Sequence, residues 1–218
     1  MIVLGLTGSI GMGKSTAAAM LRRLGVPLFD ADLAVHRLLA PSGGAVAAVS
    51  AAFPGVETPE GGIDRARLGQ RVFTDPAALR RLEAILHPMV VAEEKRFLAR
   101  SLARREPLVV LDIPLLFETG AERRCDYVVV VSAPALVQRQ RVLRRPGMTE
   151  IRLDAILEKQ IPDHEKRRRA DFVVPTGVGR NLTLRRLGAI VRLLRRQPAR
   201  RASPNRRSLL LGCGTRNA

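Results

Sequence analysis

Five stretches of this chain are apolar with almost no interruption, and each is short. They are Ile2-Val3-Leu4-Gly5-Leu6, Val26-Pro27-Leu28-Phe29, the run that starts at Leu108 and carries Asp112 on the way to Glu118, Asp126–Ser132 with Tyr127 to Val131 apolar, and Phe172-Val173-Val174-Pro175. Runs this short and this apolar read as strands buried on both faces, which is the pattern of a parallel sheet covered by helices. Helical periodicity fills most of the remainder: Thr16–Leu24, Leu33–Leu39, a small helix near Ala45–Ala52, a pair over about 135–144 and 149–160 joined by Arg145-Pro146-Gly147-Met148, and an amphipathic helix over about 182–194. Residues 41–62 are rich in Pro, Gly and Ala and read as loops around that one small helix. Asp75-Pro76 is a start signal, an N-cap followed by proline at the first helical position, and Leu79, Leu82, Ile85 and Leu86 continue it as an apolar stripe. Pro88 disfavours helical geometry at His87, so the pattern predicts an end or kink there and a second helix from about 90 to 105. No strand pattern occurs between residues 33 and 107, so that segment is expected to be a helical insertion in an α/β sheet.

The polar residues that end the apolar runs carry the candidate chemistry. The first run leads into Gly8-Ser9-Ile10-Gly11-Met12-Gly13-Lys14-Ser15, the spacing of a phosphate-binding P-loop, and the helix from Thr16 follows directly. Glycines let backbone N–H groups curl around a phosphate chain, and the N-terminus of the next helix aims its partial positive charge at the same anion. In this arrangement Lys14 reaches the β- and γ-phosphates and the Ser15 hydroxyl ligates Mg²⁺. The second run ends at Asp30-Ala31-Asp32, at the strand end where open α/β sheets bind ligands; one carboxylate serves the helix that follows and Asp32 is favoured as the proton acceptor. Asp112 stands where a Walker B carboxylate would hold Mg²⁺, directly or through water. Arg141 and Arg145 are four apart on the helical pair, a spacing that lets both reach a transferring phosphate from a lid. The run Lys166-Arg167-Arg168-Arg169 reads as solvated surface, and His36 and His164 as ordinary helix or surface residues.

Charge changes the picture less than its size suggests. The formal net charge is +17, and the segment 172–218 holds eleven arginines and no acidic residue, leaving +6 for residues 1–171. Nucleic-acid binding is therefore an expectation for the basic tail at most. Aromatic residues make up 3% and tryptophan is absent, which leaves few platforms for stacking single-stranded bases. No apolar run has the roughly 18 residues that a membrane span needs. The first residues do not form a basic stretch followed by an apolar one, so no secretory signal is expected. Cys125 and Cys213 have no zinc spacing, and a reducing cytoplasm is the expected location.

Among P-loop proteins, a GTPase would show an Asn-Lys-x-Asp element, and this chain contains no Asn-Lys pair. A motor or regulatory ATPase would be longer and carry separate sensor elements. The size, the helical insertion and the arginine-bearing pair fit a small-molecule kinase, with a kinase of another acceptor or a nucleic-acid-binding ATPase as the alternatives. Four segments then carry a family resemblance: Gly5–Ser15; Asp30-Ala31-Asp32 with His36; the pattern Ile63-Asp64-Arg65, Leu68, Val72-Phe73, Asp75, Leu79, Leu82-Glu83, Ile85 and His87-Pro88; and Ile113–Glu118. In these the chain resembles the dephospho-CoA kinases over residues 1 to about 195.

The resemblance implies ATP-dependent phosphorylation of the ribose 3′-hydroxyl of dephospho-CoA, with Mg²⁺. It implies Asp32 as the base, Gly11, Met12, Gly13, Lys14, Ser15 and Thr16 as the ATP cradle, Arg141 and Arg145 acting from the lid, and Arg65 and His87 on the acceptor side, touching ligand or holding helices together. The fold implied is a three-layer αβα P-loop domain with a five-stranded parallel sheet over 1–195. Its core is expected at about 1–32, 107–134 and 161–195, the acceptor-binding insertion at 33–106, the lid at 135–160, and a basic disordered tail at 196–218. The partners are ATP and dephospho-CoA, with no membrane, in a monomer or small homo-oligomer. This chain departs from the family pattern at Ser9 and Met12, at Arg145-Pro146-Gly147 where Arg-Asp is common, and at Thr176, where Asn is usual in the segment Ala170–Thr176 taken as the adenine side.

Overall fold

The computed structural model describes residues 1–73 and 75–197. Its elements are β1 (Ile2–Thr7), α1 (Lys14–Arg23), β2 (Leu28–Asp30), α2 (Ala31–Leu39), α3 (Val46–Ala52), α4 (Arg65–Phe73), α5 (Pro76–Ala103), β3 (Leu108–Asp112), β4 (Tyr127–Ser132), α6 (Ala135–Leu143), α7 (Glu150–Glu158), α8 (Asp163–Arg169), β5 (Phe172–Pro175) and α9 (Arg180–Arg196). Each of the five apolar runs contributes a strand, the third only as far as Asp112 and not on to Glu118, in one sheet of order β2-β3-β1-β4-β5. β1 pairs in parallel with β3 and with β4, and β4 pairs in parallel with β5.

Strand alternation divides the sheet's apolar residues between two faces. On one, Ile2, Leu4, Leu6, Leu108, Val110, Val129, Val131 and Val174 pack with Ala17, Ala18 and Leu21 of α1 and with Leu187, Val191 and Leu194 of α9. On the other, Val3, Val109, Leu111, Val128 and Val130 are equally buried. Covering both faces is what the uninterrupted runs demand. Each buried Val or Leu contributes about 1.5–3 kcal/mol of transfer free energy. Two aspartates finish the strand starts: the Val3 N–H donates to Asp126 Oδ2 at 2.7 Å and the Val128 N–H to Asp171 Oδ2 at 2.8 Å. Among the described residues, no helix is long and apolar enough to cross a membrane.

Among the described residues, 30–98 form a compact unit of their own, and 1–29 with 99–197 form the other. The first is held by an apolar cluster in which Leu38 and Leu39 of α2, Val49 of α3, Leu68 and Val72 of α4 and Leu82 and Leu86 of α5 meet. Asp30 is the residue that caps α2, accepting from the Leu33 N–H at 3.0 Å. Asp75 caps α5 as expected, accepting from Ala77 and Ala78.

Three expectations need correction. α5 runs unbroken through Pro88 as one helix of 28 residues. Pro88 and Ala84, whose carbonyl loses its partner, are both exposed, so water can serve that carbonyl, while Leu86, Met89 and Val90 on both sides of the proline pack in one cluster. Leu79, by contrast, lies off that cluster and is 37% exposed. Lys166 is not solvated: it is fully buried on α8, its Nζ 2.8 Å from Glu118 Oε1. Nearby, Arg169 pairs with Glu122 and stacks over the Phe117 ring. The basic tail expected from residue 196 lies, beyond Gln197, outside the described residues.

Candidate active site

Register brings the chemistry to one edge of the sheet. Leu6 lies beside Asp112, Thr7 beside Val130, and Ser132 beside Pro175, so the C-terminal ends of β1, β3, β4 and β5 line up. At that edge the chain leaves β1 as the glycine-rich loop and enters α1 at Lys14. Gly11 and Gly13 have φ of 75° and 88°, the left-handed region that favours glycine. A Cβ on Gly11 would also stand 2.5 Å from Val142 Cγ2 and 3.0 Å from the Gln138 carbonyl. α6 rests directly on the loop. Gly13 caps α1 without a side-chain hydrogen bond, and no acidic residue occupies the first turn. The first helical N–H groups thus have no intrahelical partner and no competing anion from that turn.

The loop's carbonyls are held from outside. Gln138 Nε2 donates to the Ile10 carbonyl at 2.7 Å, and Thr176 Oγ1 donates to the Met12 carbonyl at 2.7 Å. Arg141 binds Thr176 twice, Nη1 to Oγ1 at 3.1 Å and Nη2 to the carbonyl at 2.8 Å, with Nη1 also 3.5 Å from the Gly11 carbonyl. The Met12 sulfur accepts from the Ala133 N–H. Ser15 and Thr16, on the first turn of α1, are exposed.

Lys14 Nζ lies 2.9 Å from Asp112 Oδ1, with the carboxylate almost wholly buried. This ion pair joins the two residues that the sequence assigns to phosphate and metal. A carboxylate and the Ser15 hydroxyl are hard oxygen donors, a set that suits Mg²⁺.

The acceptor-side candidates lie in the 30–98 unit. Asp32 is in the first turn of α2 and exposed, and His36 is four residues on, one turn along the same face. Arg65, at the start of α4, hydrogen-bonds the His36 ring through Nη1. His36 therefore has a partner the sequence did not reveal, 29 positions away. The two line a cleft of about 370 Å³ together with Arg37, Pro41, Thr58 and Ile63. His87 is exposed on α5, one residue before Pro88. Arg141 and Arg145 do not share a helical face, because α6 ends at Leu143. Arg145 lies in the turn beyond, exposed, its N–H bonded to the Val142 carbonyl.

The profile of one protein family, dephospho-CoA kinase, matches residues 2–178. The chain belongs to the dephospho-CoA kinase family. A dephospho-CoA kinase of Paramagnetospirillum magneticum is 64% identical over 89% of this chain and 92% of its own, and one of Mesorhizobium japonicum is 60% identical over 90% and 98%. Among solved structures, TT1252 from Thermus thermophilus is 39% identical and superposes with a TM-score of 0.74 over 88% of this chain and 97% of its own. Dephospho-CoA kinase from Campylobacter jejuni, 23% identical, has the same fold at a TM-score of 0.62, covering 88% and 96%.

For this member of the dephospho-CoA kinase family, the segment taken as the adenine side divides in two. Asp171 precedes β5 and ties it to Val128 of β4, whereas Thr176 follows β5 and bonds the phosphate loop. Gln138 and Gln160 also touch the loop, and neither was singled out from the sequence. The signal available was weak: Gln138 is a polar residue on the same face of α6 as the buried Val142, and it is itself buried.

Proposed function

We propose that this kinase transfers the γ-phosphoryl group of ATP to the ribose 3′-hydroxyl of dephospho-CoA, giving coenzyme A and ADP. The observation that carries the reading is the glycine-lined cradle with Lys14 Nζ 2.9 Å from Asp112, in a chain of this family. Phosphoryl transfer needs positioning and charge neutralisation more than covalent chemistry, and the residues divide those tasks. The N–H groups from Gly11 to Thr16 hold the phosphates. Lys14 exchanges its bond to Asp112 for one to the β- and γ-oxygens when the nucleotide enters. Asp112 and Ser15 would hold Mg²⁺, which would neutralise charge on the β- and γ-phosphates. Asp32 accepts the proton of the attacking hydroxyl. Arg141, placed against the Gly11 carbonyl, offsets charge on the transferred group, and Arg145 does so from the turn after α6. Arg65 and His87 grip the acceptor.

ADP release from Mg²⁺-ATP, measured with and without dephospho-CoA and followed by mass spectrometry of the acceptor, tests this. Acceptor-dependent ADP with one phosphate added is the expected result. ADP release that ignores dephospho-CoA, or a different acceptor preferred over it, would overturn the reading.

A further inference from the structure

Two glutamines outside the motif bind both main-chain groups of Ile10. Gln138, on α6, donates Nε2–H to the Ile10 carbonyl at 2.7 Å, while Gln160 accepts from the Ile10 N–H through Oε1 at 3.1 Å. The two come from opposite ends of the helical pair α6–α7. In a trans peptide the carbonyl and the next N–H point opposite ways. With the Ile10 carbonyl turned to Gln138, the Gly11 N–H faces away from α6. The Thr176 bond to the Met12 carbonyl turns the Gly13 N–H in the same manner. Glycine leaves several peptide orientations open at little cost, so at Gly11 the orientation has to be imposed from outside.

The glutamines are themselves well anchored. α6 and α7 are bridged by Arg139, which pairs with both Glu150 and Asp154. Immediately after Gln160, the Ile161 N–H donates to Glu118 Oε1 at 3.0 Å, the oxygen that also faces the buried Lys166 ammonium at 2.8 Å. Two residues further, Asp163 accepts from Ser132 at the end of β4 at 2.6 Å. Gln160 therefore extends from a segment fixed to the sheet on one side and the helical pair on the other.

We infer that Gln138 and Gln160 are positioning residues that orient the peptides of the phosphate loop, one as an obligatory donor and the other as an obligatory acceptor. Nucleotide affinity then depends on hydrogen-bond polarity at each position, in opposite senses. The inference rests on the loop being the nucleotide site of the proposed reaction. A single substitution separates the two roles, because glutamate keeps the acceptor of glutamine and discards the donor.

The experiment compares Gln138→Met, Gln138→Glu, Gln160→Met and Gln160→Glu with the parent, reading the dissociation constant for ADP by calorimetry and the melting temperature alongside. Both Gln138 variants and Gln160→Met are expected to weaken ADP by about tenfold, and Gln160→Glu to recover most of that loss. Equal responses of the two glutamate variants would overturn the inference, as would lowered melting temperatures with unchanged affinity. Gln160 lies outside any helix, so its pair of variants decides the matter even if the buried Gln138 variants fail to fold. Binding is measured without acceptor. A parent that binds ADP yet does not phosphorylate dephospho-CoA would sink the proposed function while leaving these affinities decisive for the two glutamines.

Discussion

The phosphate loop and the 30–98 unit hold their candidate residues in contrasting ways. Around the loop, carbonyls of Ile10, Gly11 and Met12 face side chains from α6 and from Thr176, and the charged pair Lys14–Asp112 is largely out of water. In the 30–98 unit, an apolar cluster fixes the helices while Asp32, His36, Arg65 and His87 stand exposed on them. On the proposed reading, the difference follows from what does the recognising. A cradle made of main-chain N–H groups works only if the backbone is set beforehand, because misdirected peptides cannot be corrected by a rotamer change. Side chains on helices can adjust once the acceptor arrives. Preorganisation is concentrated where the backbone is the ligand.

The largest way to sharpen that contrast is Asp32→Asn. It removes the proposed base and should lower turnover by about 10³-fold while leaving the ADP dissociation constant unchanged. Steady-state kinetics beside calorimetry checks it; near-normal turnover would remove Asp32 from the role. Lys14→Met comes next, with turnover expected to fall by about 10²-fold and ADP binding to weaken as well, since it strips a proposed phosphate ligand and removes the ammonium beside the buried Asp112 carboxylate. A variant that lost stability but kept transfer would assign Lys14 to structure alone. The smallest effect is Arg65→Ala, which should raise the KM for dephospho-CoA by about tenfold and leave that for ATP alone. If the KM for ATP moved instead, the division of labour between the two regions would fail.

Legibility followed the range of the interactions involved. Strands and caps are local, so the apolar runs and the Asp75-Pro76 signal forecast β1 to β5 and the start of α5 closely. The P-loop was legible because its chemistry is contiguous in the chain. Pro88 departs from its local preference because residues before and after it share one apolar cluster. Lys166 misled because a run of four basic residues looks uniform, whereas a helix turns one of them toward Glu118, 48 positions earlier in the chain. The Arg65–His36 contact and the two glutamines on Ile10 were out of reach for the same reason: their partners are separated by 29, 128 and 150 positions. Arg65 entered only through family resemblance, not through any physical signal of its own.

The strand order has a kinetic consequence. β1 is made first, yet its neighbours on both sides are strands more than a hundred residues later, with Ile2 beside Leu108 and Leu4 beside Tyr127. Closing loops of that length delays the central pairing, whereas the 30–98 unit draws its apolar cluster from contacts within seventy residues and can consolidate while synthesis continues. The phosphate loop consequently acquires its shape late, when β4, α6 and β5 have been made and can close around a strand that has waited longest for its partners.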